Sequence, residues 1–269
     1  MAYIALQSAS TGLSALSTNL DVIANNLANV NTDGFRASRV NFEDLMYQQR
    51  AMPGVENVDG ERKPTGLFVG LGVRVSGTQF NLTNGSPIST GNPLDLTIEG
   101  RGFFQVLVED DRAENGIAYT RAGNFTVNSE GDLVLGTSEG RLLEPNINIP
   151  DGVQSISVGA TGIVSGTIAG DAEPTEFGQI QLADFTNPGG LIPLGENLFA
   201  ESAGSGAAIE NVPGDDGIGR LISGFIESSN VDATTELVKL IRTQRAFEMN
   251  SQTIRAADEA LQTLSQLRR

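Results

Sequence analysis

Both ends of the chain carry a heptad pattern, in which apolar or small residues recur three and four positions apart. A pattern of this length predicts a long helix at each end that packs against a partner helix. The N-terminal pattern stops before Asp33 and Gly34, a pair suited to ending a helix, and Asp232 is a predicted N-cap for the C-terminal helix. The seam positions are Leu6, Ala9, Leu13, Leu16, Leu20, Ile23, Leu27 and Val30, then Leu240, Thr243, Phe247, Asn250, Ile254, Ala257, Leu261 and Leu264.

The N-terminal helix lacks the charged face that a helix in water normally has. Asp21 is its one charged side chain within residues 1–32, and Asn25, Asn26 and Asn29 occupy positions outside the seam. Amides and hydroxyls are buried readily when neighbours satisfy them, whereas Lys or Glu would need charged partners. We therefore expect this helix to be surrounded by other helices in an assembly larger than one chain. A freely solvated outer face over residues 8–29 in the working state would contradict this hypothesis.

The segment between the helices changes to the two-residue period of β-strands. Leu94, Leu96 and Ile98 alternate with polar residues, which predicts a strand with one wet face, and a second strand follows at residues 103–108. Turn sequences separate further short strands, and residues 203–219 are predicted to be a flexible return loop.

The predicted fold class is α+β. It combines long N- and C-terminal helices in a coiled-coil-like terminal domain, an extended β-hairpin linker and one mainly antiparallel β domain. We expect the terminal domain to comprise 1–36 with 226–269, the linker 37–92, and the outer β domain 93–225.

Composition narrows the chemistry that this chain could perform. The sequence has no Cys, His or Trp, so it offers no thiol, no disulfide and no imidazole. The net charge of −16 argues against nucleic acid as a partner, and the whole acidic excess lies between the two helical ends. We expect no Sec-type signal peptide, because a basic n-region is missing, and no membrane-spanning helix or membrane insertion.

Three sequence features could be read as functional sites, but a purely structural explanation fits each of them better. Asp95 and Glu99 lie about 13 Å apart along a strand, whereas paired glycosidase carboxylates lie about 5–9.5 Å apart. The glycines of residues 66–72 fit no nucleotide-binding fingerprint. The acidic run 109–116 lacks the rhythm of a calcium loop and is expected to be a solvated hairpin tip. No catalytic residue, metal site or cofactor is predicted.

Several segments resemble the flagellar basal-body rod and hook protein family over nearly the whole chain. The resemblance is strongest to the distal-rod members, because the chain has room for one β domain and carries a similar linker stretch. The matching segments are ANNLANVNTDGF (24–35), YQQRAMPGVENVDGERKPTGLFVGLGVR (47–74), IEGRGFFQV (98–106), YTRAGNF (119–125), GENLF (195–199) and residues 228–264.

This resemblance implies a structural protein and not an enzyme. It implies a helical homopolymer in the periplasmic rod, exported by the flagellar type III apparatus without a cleaved signal peptide. The partners it implies are copies of the chain itself, proximal rod proteins, the hook protein and outer bushing rings where the envelope has them. A proximal rod or hook subunit is the alternative within the family. A wall-cleaving glycosidase, or a binding module with an ordinary coiled coil, is the alternative from another class.

The helical seams and their flanking amides are the predicted subunit interface, and residues 47–74 are expected to form a hairpin that bridges adjacent subunits and stiffens the polymer. The predicted interface residues are Leu13, Leu16, Leu20, Ile23, Asn25, Asn26, Leu27, Asn29, Val30, Leu240, Phe247, Asn250, Ile254, Leu261 and Leu264.

Overall fold

The structure, a computed structural model, describes residues 2–55, 62, 64–109, 113, 116–168, 173–215 and 217–267. The chain divides into two compact units. The first, here the helical unit, comprises Met1–Ala28, Ser38–Gln79 and Asp232–Arg269, and the second, the β unit, comprises Asn29–Ala37 and Phe80–Val231.

The helical unit contains the two terminal helices and four strands. The helices are in contact, β1 pairs with β4, and β2 pairs with β3 as an antiparallel hairpin. The predicted long helices and the predicted extended hairpin are therefore confirmed. The elements are α1 (Ala2–Ala28), β1 (Ser38–Asp44), β2 (Tyr47–Ala51), β3 (Leu67–Gly70), β4 (Val73–Phe80) and α2 (Ala233–Leu267).

The start of α2 is fixed by the predicted N-cap. One carboxylate oxygen of Asp232 accepts from the backbone N–H of Thr234 at 2.9 Å, and the other accepts from the hydroxyl of Thr235 at 2.6 Å. The hydrogen bond from the Thr235 hydroxyl and those from the backbone N–H groups of both threonines hold the pKa of Asp232 below its usual value. Glu236 follows in the first turn, where a negative charge favours the helix dipole.

The end of α1 differs slightly from the predicted one. The helix ends at Ala28, and Val30, the last predicted seam position, lies in the following turn. Gly34 does adopt the expected left-handed conformation, with φ of 69°. A Cβ on Gly34 would lie 2.6 Å from the backbone nitrogen of Ala122, so this position requires glycine sterically as well as conformationally.

In its described residues the β unit has sixteen short strands, and they pair antiparallel. The strands are β5 (Pro87–Ser89), β6 (Leu96–Glu99), β7 (Phe103–Leu107), β8 (Ile117–Thr120), β9 (Phe125–Val127), β10 (Leu133–Leu135), β11 (Leu143–Glu144), β12 (Val153–Val158), β13 (Ile163–Ile168), β14 (Thr175–Gln179), β15 (Leu182–Asp184), β16 (Ile192–Gly195), β17 (Leu198–Ala200), β18 (Ile209–Asn211), β19 (Arg220–Ser223) and β20 (Phe225–Glu227).

The largest sheet of the β unit has seven strands, in the order β16-β17-β8-β7-β15-β18, with β11 also on β7. A three-stranded sheet, β12-β13-β14, and the pairs β19-β6, β20-β5 and β10-β9 complete the unit. The main core lies under β6, β7 and β9, where Leu96, Phe104 and Phe125 are almost fully buried. A second cluster stacks aromatic rings edge to face, with Tyr119 and Phe185 centroids 4.7 Å apart.

Two details of the predicted β region are wrong. Thr97 was expected on a wet strand face, yet it is buried, because β6 is covered on both sides. Residues 203–219 were expected to be a flexible loop, yet they contain β18, which hydrogen-bonds to β15 at the edge of the large sheet. A three-residue strand bounded by Gly and Pro carries too little periodicity to be recognised from sequence.

Candidate assembly surfaces

A ladder of contacts, spaced seven residues apart, joins α1 to α2 in the helical unit. Two of its rungs are hydrogen bonds, between Asn19 and Thr243 and between Asn26 and Glu236. At the third, Gly12 leaves room for the side chain of Asn250, which a Cβ on Gly12 would approach to 3.0 Å. The residue numbers rise along α1 and fall along α2, so the two helices pack antiparallel. In the middle rung the Asn19 amide donates to Thr243 Oγ1 at 3.1 Å, and Thr243 is buried. A polar contact buried between two helices favours one register over the others, because a shifted register would leave its groups unpaired.

At three places the α1 residue that contacts α2 is not the predicted seam leucine but the residue just before it. The rungs Gly12, Asn19 and Asn26 each precede a leucine that was assigned to the seam. Those leucines are only half-buried, whereas Ala9, Ala15 and Ile23 are buried. An apolar pattern does not include glycine or asparagine. The spacing of leucines therefore could not identify Gly12, Asn19 and Asn26 as the residues that contact α2. The half-buried leucines are Leu13, Leu20 and Leu27.

Asn26 is used inside its own chain. Its side-chain oxygen accepts from the backbone N–H of Ser38 at 3.0 Å, and its amide nitrogen donates to the carbonyl of the same residue at 2.8 Å. The side chain is 2% exposed. The amide therefore substitutes for a strand partner at the start of β1, and the lateral contact predicted for Asn26 has no exposed amide to use in this conformation.

Two hydroxyls of α1 also find partners within the chain. Ser8 Oγ donates to the carbonyl of Gly70, and Thr11 Oγ1 accepts from the N–H of Val73, each at 3.4 Å. A Cβ on Gly72, whose φ is 119°, would collide with the Thr11 hydroxyl. Part of the missing charge on α1 is thus explained by backbone groups of the β3–β4 turn, which these hydroxyls satisfy without the cost of burying a charge.

A second face of α2 leaves large apolar side chains in solvent. Ile241 is 49% exposed and Met249 61% exposed, although α2 is otherwise rich in charged residues. Exposed apolar groups in this number on one helix mark a surface that another protein covers. The exposed residues of this face are Leu237, Val238, Ile241 and Met249. Phe247 and Leu261 are also exposed, but they lie on the side of α2 that carries Thr243 and Asn250.

The remaining predicted interface residues are half-buried or exposed in the single chain. Leu16, Val30, Leu240, Asn250 and Ile254 are half-buried, and Asn25 is exposed. Asn29 is half-buried and accepts a hydrogen bond from the Thr32 hydroxyl at 3.1 Å. The side chain of Leu264 lies outside the described residues. Their part in contacts between subunits stays a prediction.

The β2–β3 hairpin exposes apolar side chains on a two-stranded ribbon. Two strands bury little surface by themselves, so such a ribbon is marginal until something packs on it. Residues 56–61 and 63 of the predicted bridging segment lie outside the described residues. The exposed side chains are Met46, Tyr47, Met52, Leu67 and Phe68.

A buried ion cluster in the β unit escaped the sequence analysis. Glu227 Oε1 lies 2.7 Å from Arg36 Nη1, and its Oε2 lies 3.5 Å from Arg121 Nη1. All three side chains are at most 4% exposed. Burial, and then the charge of Arg36, lower the pKa of Arg121 to about 10, so it remains protonated at neutral pH. Residues so distant in sequence carry no local signature that would predict the cluster.

The candidate chemical sites do not form in the described part of the chain. Glu99 is paired with Arg220 at 2.6 Å, and Asp95 accepts from the Asn92 amide at 3.1 Å. No group of three metal-ligating side chains comes together among the described residues. Most of the acidic run 109–116 lies outside them. Neither described helix is both long and apolar enough to cross a membrane.

Three family models match this chain. They are the flagella basal body rod protein at residues 6–36, the flagellar hook protein FlgE/F/G D1 domain at 97–166, and the flagellar basal body rod FlgEFG protein C-terminal at 222–267. These matches cover α1, much of the β unit and α2.

Curated relatives match over nearly the full length. The flagellar basal-body rod protein FlgG of Caulobacter vibrioides is 45% identical over 98% of this chain and 99% of the relative. That of Bacillus subtilis is 42% identical over 98% of each. The rod protein FlgF of Caulobacter vibrioides is 33% identical over 87% of this chain and 84% of the relative. The chain therefore belongs to the FlgG family of flagellar basal-body rod proteins, which are structural proteins of the distal rod and not enzymes.

Proposed function

We propose that copies of this chain polymerise into a straight, hollow distal rod that transmits torque to the hook and conducts exported subunits. In this proposal the terminal segments 1–36 and 226–269 form the inner tube. Family membership supports the role in the rod, and the exposed apolar face of α2 supports the mode of assembly. Burying such a face against other copies removes apolar surface from water, at roughly 25 cal/mol per Å².

The face of α2 is the observation that carries this proposal. The polar ladder already occupies one side of the helix, so the exposed apolar side chains lie on a surface that the α1 contact does not cover. The half-buried leucines of α1 extend the apolar surface available to neighbours. A helix pair with these properties is built to be packed into a larger bundle.

We further propose the neighbours that such a rod requires. Proximal rod proteins would join one end of the polymer, the hook protein would join the other, and bushing rings would surround it where the envelope has them. The position would be periplasmic, reached by type III export without a cleaved signal peptide. The acidic middle segment would keep the shaft centred in the rings by long-range electrostatics and not by adhesive contacts.

Ile241→Asp tests the assembly mode, because it places a charge in the exposed apolar face of α2. We expect the dilute chain to unfold at nearly the same temperature as wild type, since Ile241 is half-exposed. Polymer recovered by sedimentation should fall at least about tenfold, because a buried unpaired charge opposes association.

Thr253→Asp is the matched control, since it adds the same charge at an exposed polar position of the same helix that lies about a third of a turn around the axis from Ile241. Equal polymer yields from the two variants would show that the apolar face of α2 does not drive assembly.

A further inference from the structure

An open cavity of about 460 Å³ in the β unit is lined by three arginines. Arg36 and Arg121 belong to the buried ion cluster, and Arg101 stands at the cavity with 63% of its side chain exposed. Phe103 and Leu82 contribute apolar lining. The cavity therefore combines guanidinium groups with apolar walls, within a single unit of the chain.

The buried arginines have donors to spare. Arg36 Nη1 donates to Glu227 Oε1 at 2.7 Å and to the carbonyl of Thr83 at 2.8 Å, but its Nη2 has no hydrogen-bond partner among the described residues. Arg121 Nη2 donates to the carbonyl of Gly100 at 2.7 Å, while its Nε likewise has no partner among them. Both of these atoms have almost no solvent-accessible surface, so the guanidinium that an incoming acceptor can reach directly is that of Arg101, and the two buried arginines act on it through their charge.

The charge of the cluster is positive in a strongly acidic protein. Three guanidinium groups face two carboxylates, those of Glu227 and of Asp184, whose Oδ2 lies 3.2 Å from Arg101 Nη2. One positive charge remains, although the whole chain carries −16. Burial, and then the nearby charge of Arg36, lower the pKa of Arg121 to about 10.

A carboxylate is the ligand class that this cavity fits. The planar guanidinium fork matches a carboxylate in two-point hydrogen bonding, and the apolar walls suit the methylene groups of an Asp or Glu side chain. We propose that the arginine cavity receives the carboxylate of an acidic side chain from a second copy of this chain. This proposal rests on the homopolymer proposed above, in which an acidic chain with 33 Asp and Glu residues is its own most abundant neighbour.

The first arm of the test measures carboxylate binding to the dilute chain. N-acetyl-glutamate N-methylamide serves as the probe, and NMR follows the arginine side-chain Nε–H signals. We expect a saturable shift of the signals of the cavity arginines, with those of Arg220 unchanged. Sodium chloride at matched ionic strength should produce no such shift, and Arg101→Gln should weaken the apparent affinity for the probe.

The second arm measures assembly. Arg101→Glu should raise the concentration needed for polymerisation by about tenfold or more, because it replaces an attractive group at the cavity by a repulsive one. Arg220→Glu is the matched control, since Arg220 is 65% exposed and paired with one carboxylate, but does not line the cavity. Thermal unfolding of both dilute variants checks that each remains folded.

The outcomes separate the proposals. Probe binding together with an assembly defect confined to Arg101→Glu supports the inference. Probe binding with equal assembly of the two variants would overturn it in favour of a site for free anions, and absence of any shift would overturn carboxylate binding altogether. A wild-type chain that never polymerises would contradict the proposed function and the second copy as source, while the probe result would still decide whether the cavity binds a carboxylate.

Discussion

Asn26 shows how a single buried amide fixes the path of the chain. It binds both backbone groups of Ser38, and its nitrogen lies 3.5 Å from Glu236 Oε2, so it holds the start of β1 beside α1 at the level where α2 begins. An amide suits this position because it donates and accepts at once, whereas a carboxylate would face the Ser38 carbonyl and Glu236 with no proton to offer.

Asn26→Ala should lower the free energy of unfolding of the dilute chain by about 1–3 kcal/mol, because it leaves half-buried backbone groups of Ser38 without partners. Ser17→Ala, at an exposed position of the same helix, should change it by no more than about 0.5 kcal/mol. Urea unfolding monitored by circular dichroism gives both values. Equal losses in the two variants would remove the special role assigned to Asn26.

Local chemistry at single residues could be predicted from the sequence, and long-range pairing could not. Asp232 caps α2 and Gly34 adopts positive φ as expected, because each depends on a few adjacent residues. The cluster of Arg36, Arg121 and Glu227 joins segments that only the folded chain brings together. The buried face of Thr97 was missed for the same reason, since a strand does not reveal what covers its second side.

The helix pair shows the same division between local and long-range information. The heptad spacing predicted two long helices, and they are in contact. The contact stripe, however, runs through Gly12, Asn19 and Asn26, because close approach favours a small residue and amides that match polar groups on α2. Leucine spacing locates the contacting face of a helix only to within about one residue per turn. The leucines of the predicted seam therefore lie beside the α1–α2 contact and not at its centre.

The polar rungs should determine register at a cost in stability. In the double variant Asn19→Leu with Thr243→Leu, we expect a higher unfolding midpoint, because apolar packing replaces a polar contact. We also expect a looser register, because one specific hydrogen bond is lost. Spin labels at Ser17→Cys and Arg245→Cys report the interhelix distance in a chain that otherwise has no cysteine. The distance distribution should broaden toward a shift of one heptad, about 10 Å.

Ser14→Leu with Gln244→Leu is the control for the register experiment, because it adds the same apolar groups at exposed positions. Its distance distribution should match that of wild type. A single unchanged distance in the Asn19 and Thr243 variant would mean that the flanking apolar residues, and not the polar rungs, set the register.

The β2–β3 hairpin is the element whose role depends most on neighbours. Its exposed Tyr47 and Phe68 have apolar surface to bury, and the proposal assigns that surface to adjacent subunits. Deleting residues 47–63 should leave polymers that form but bend, which electron microscopy measures as a shorter persistence length. Straight filaments of unchanged stiffness would remove the hairpin from the account of rod rigidity.

At the scale of the whole molecule, the helical unit satisfies several of its polar groups internally and leaves apolar surface for partners. The uncharged polar residues of α1 suggested that other subunits surround this helix. Several of their amides and hydroxyls instead form hydrogen bonds within the chain, to β1, to the β3–β4 turn and to α2. The exposed surface lies instead on the apolar face of α2 and on the hairpin. In this account the burial of apolar surface drives assembly, and polar contacts set the position of α2 along α1.

Amide hydrogen exchange of the dilute chain and of the sedimented polymer tests this account most directly. Because α2 rests on α1 along one side only, we expect residues 240–267 to exchange rapidly in the dilute chain. The same amides should become strongly protected in the polymer, whereas those of the main core of the β unit should be protected equally in both states. Equal protection of residues 240–267 in both states would show that the helix pair is complete within one chain, and would contradict assembly through the apolar face of α2.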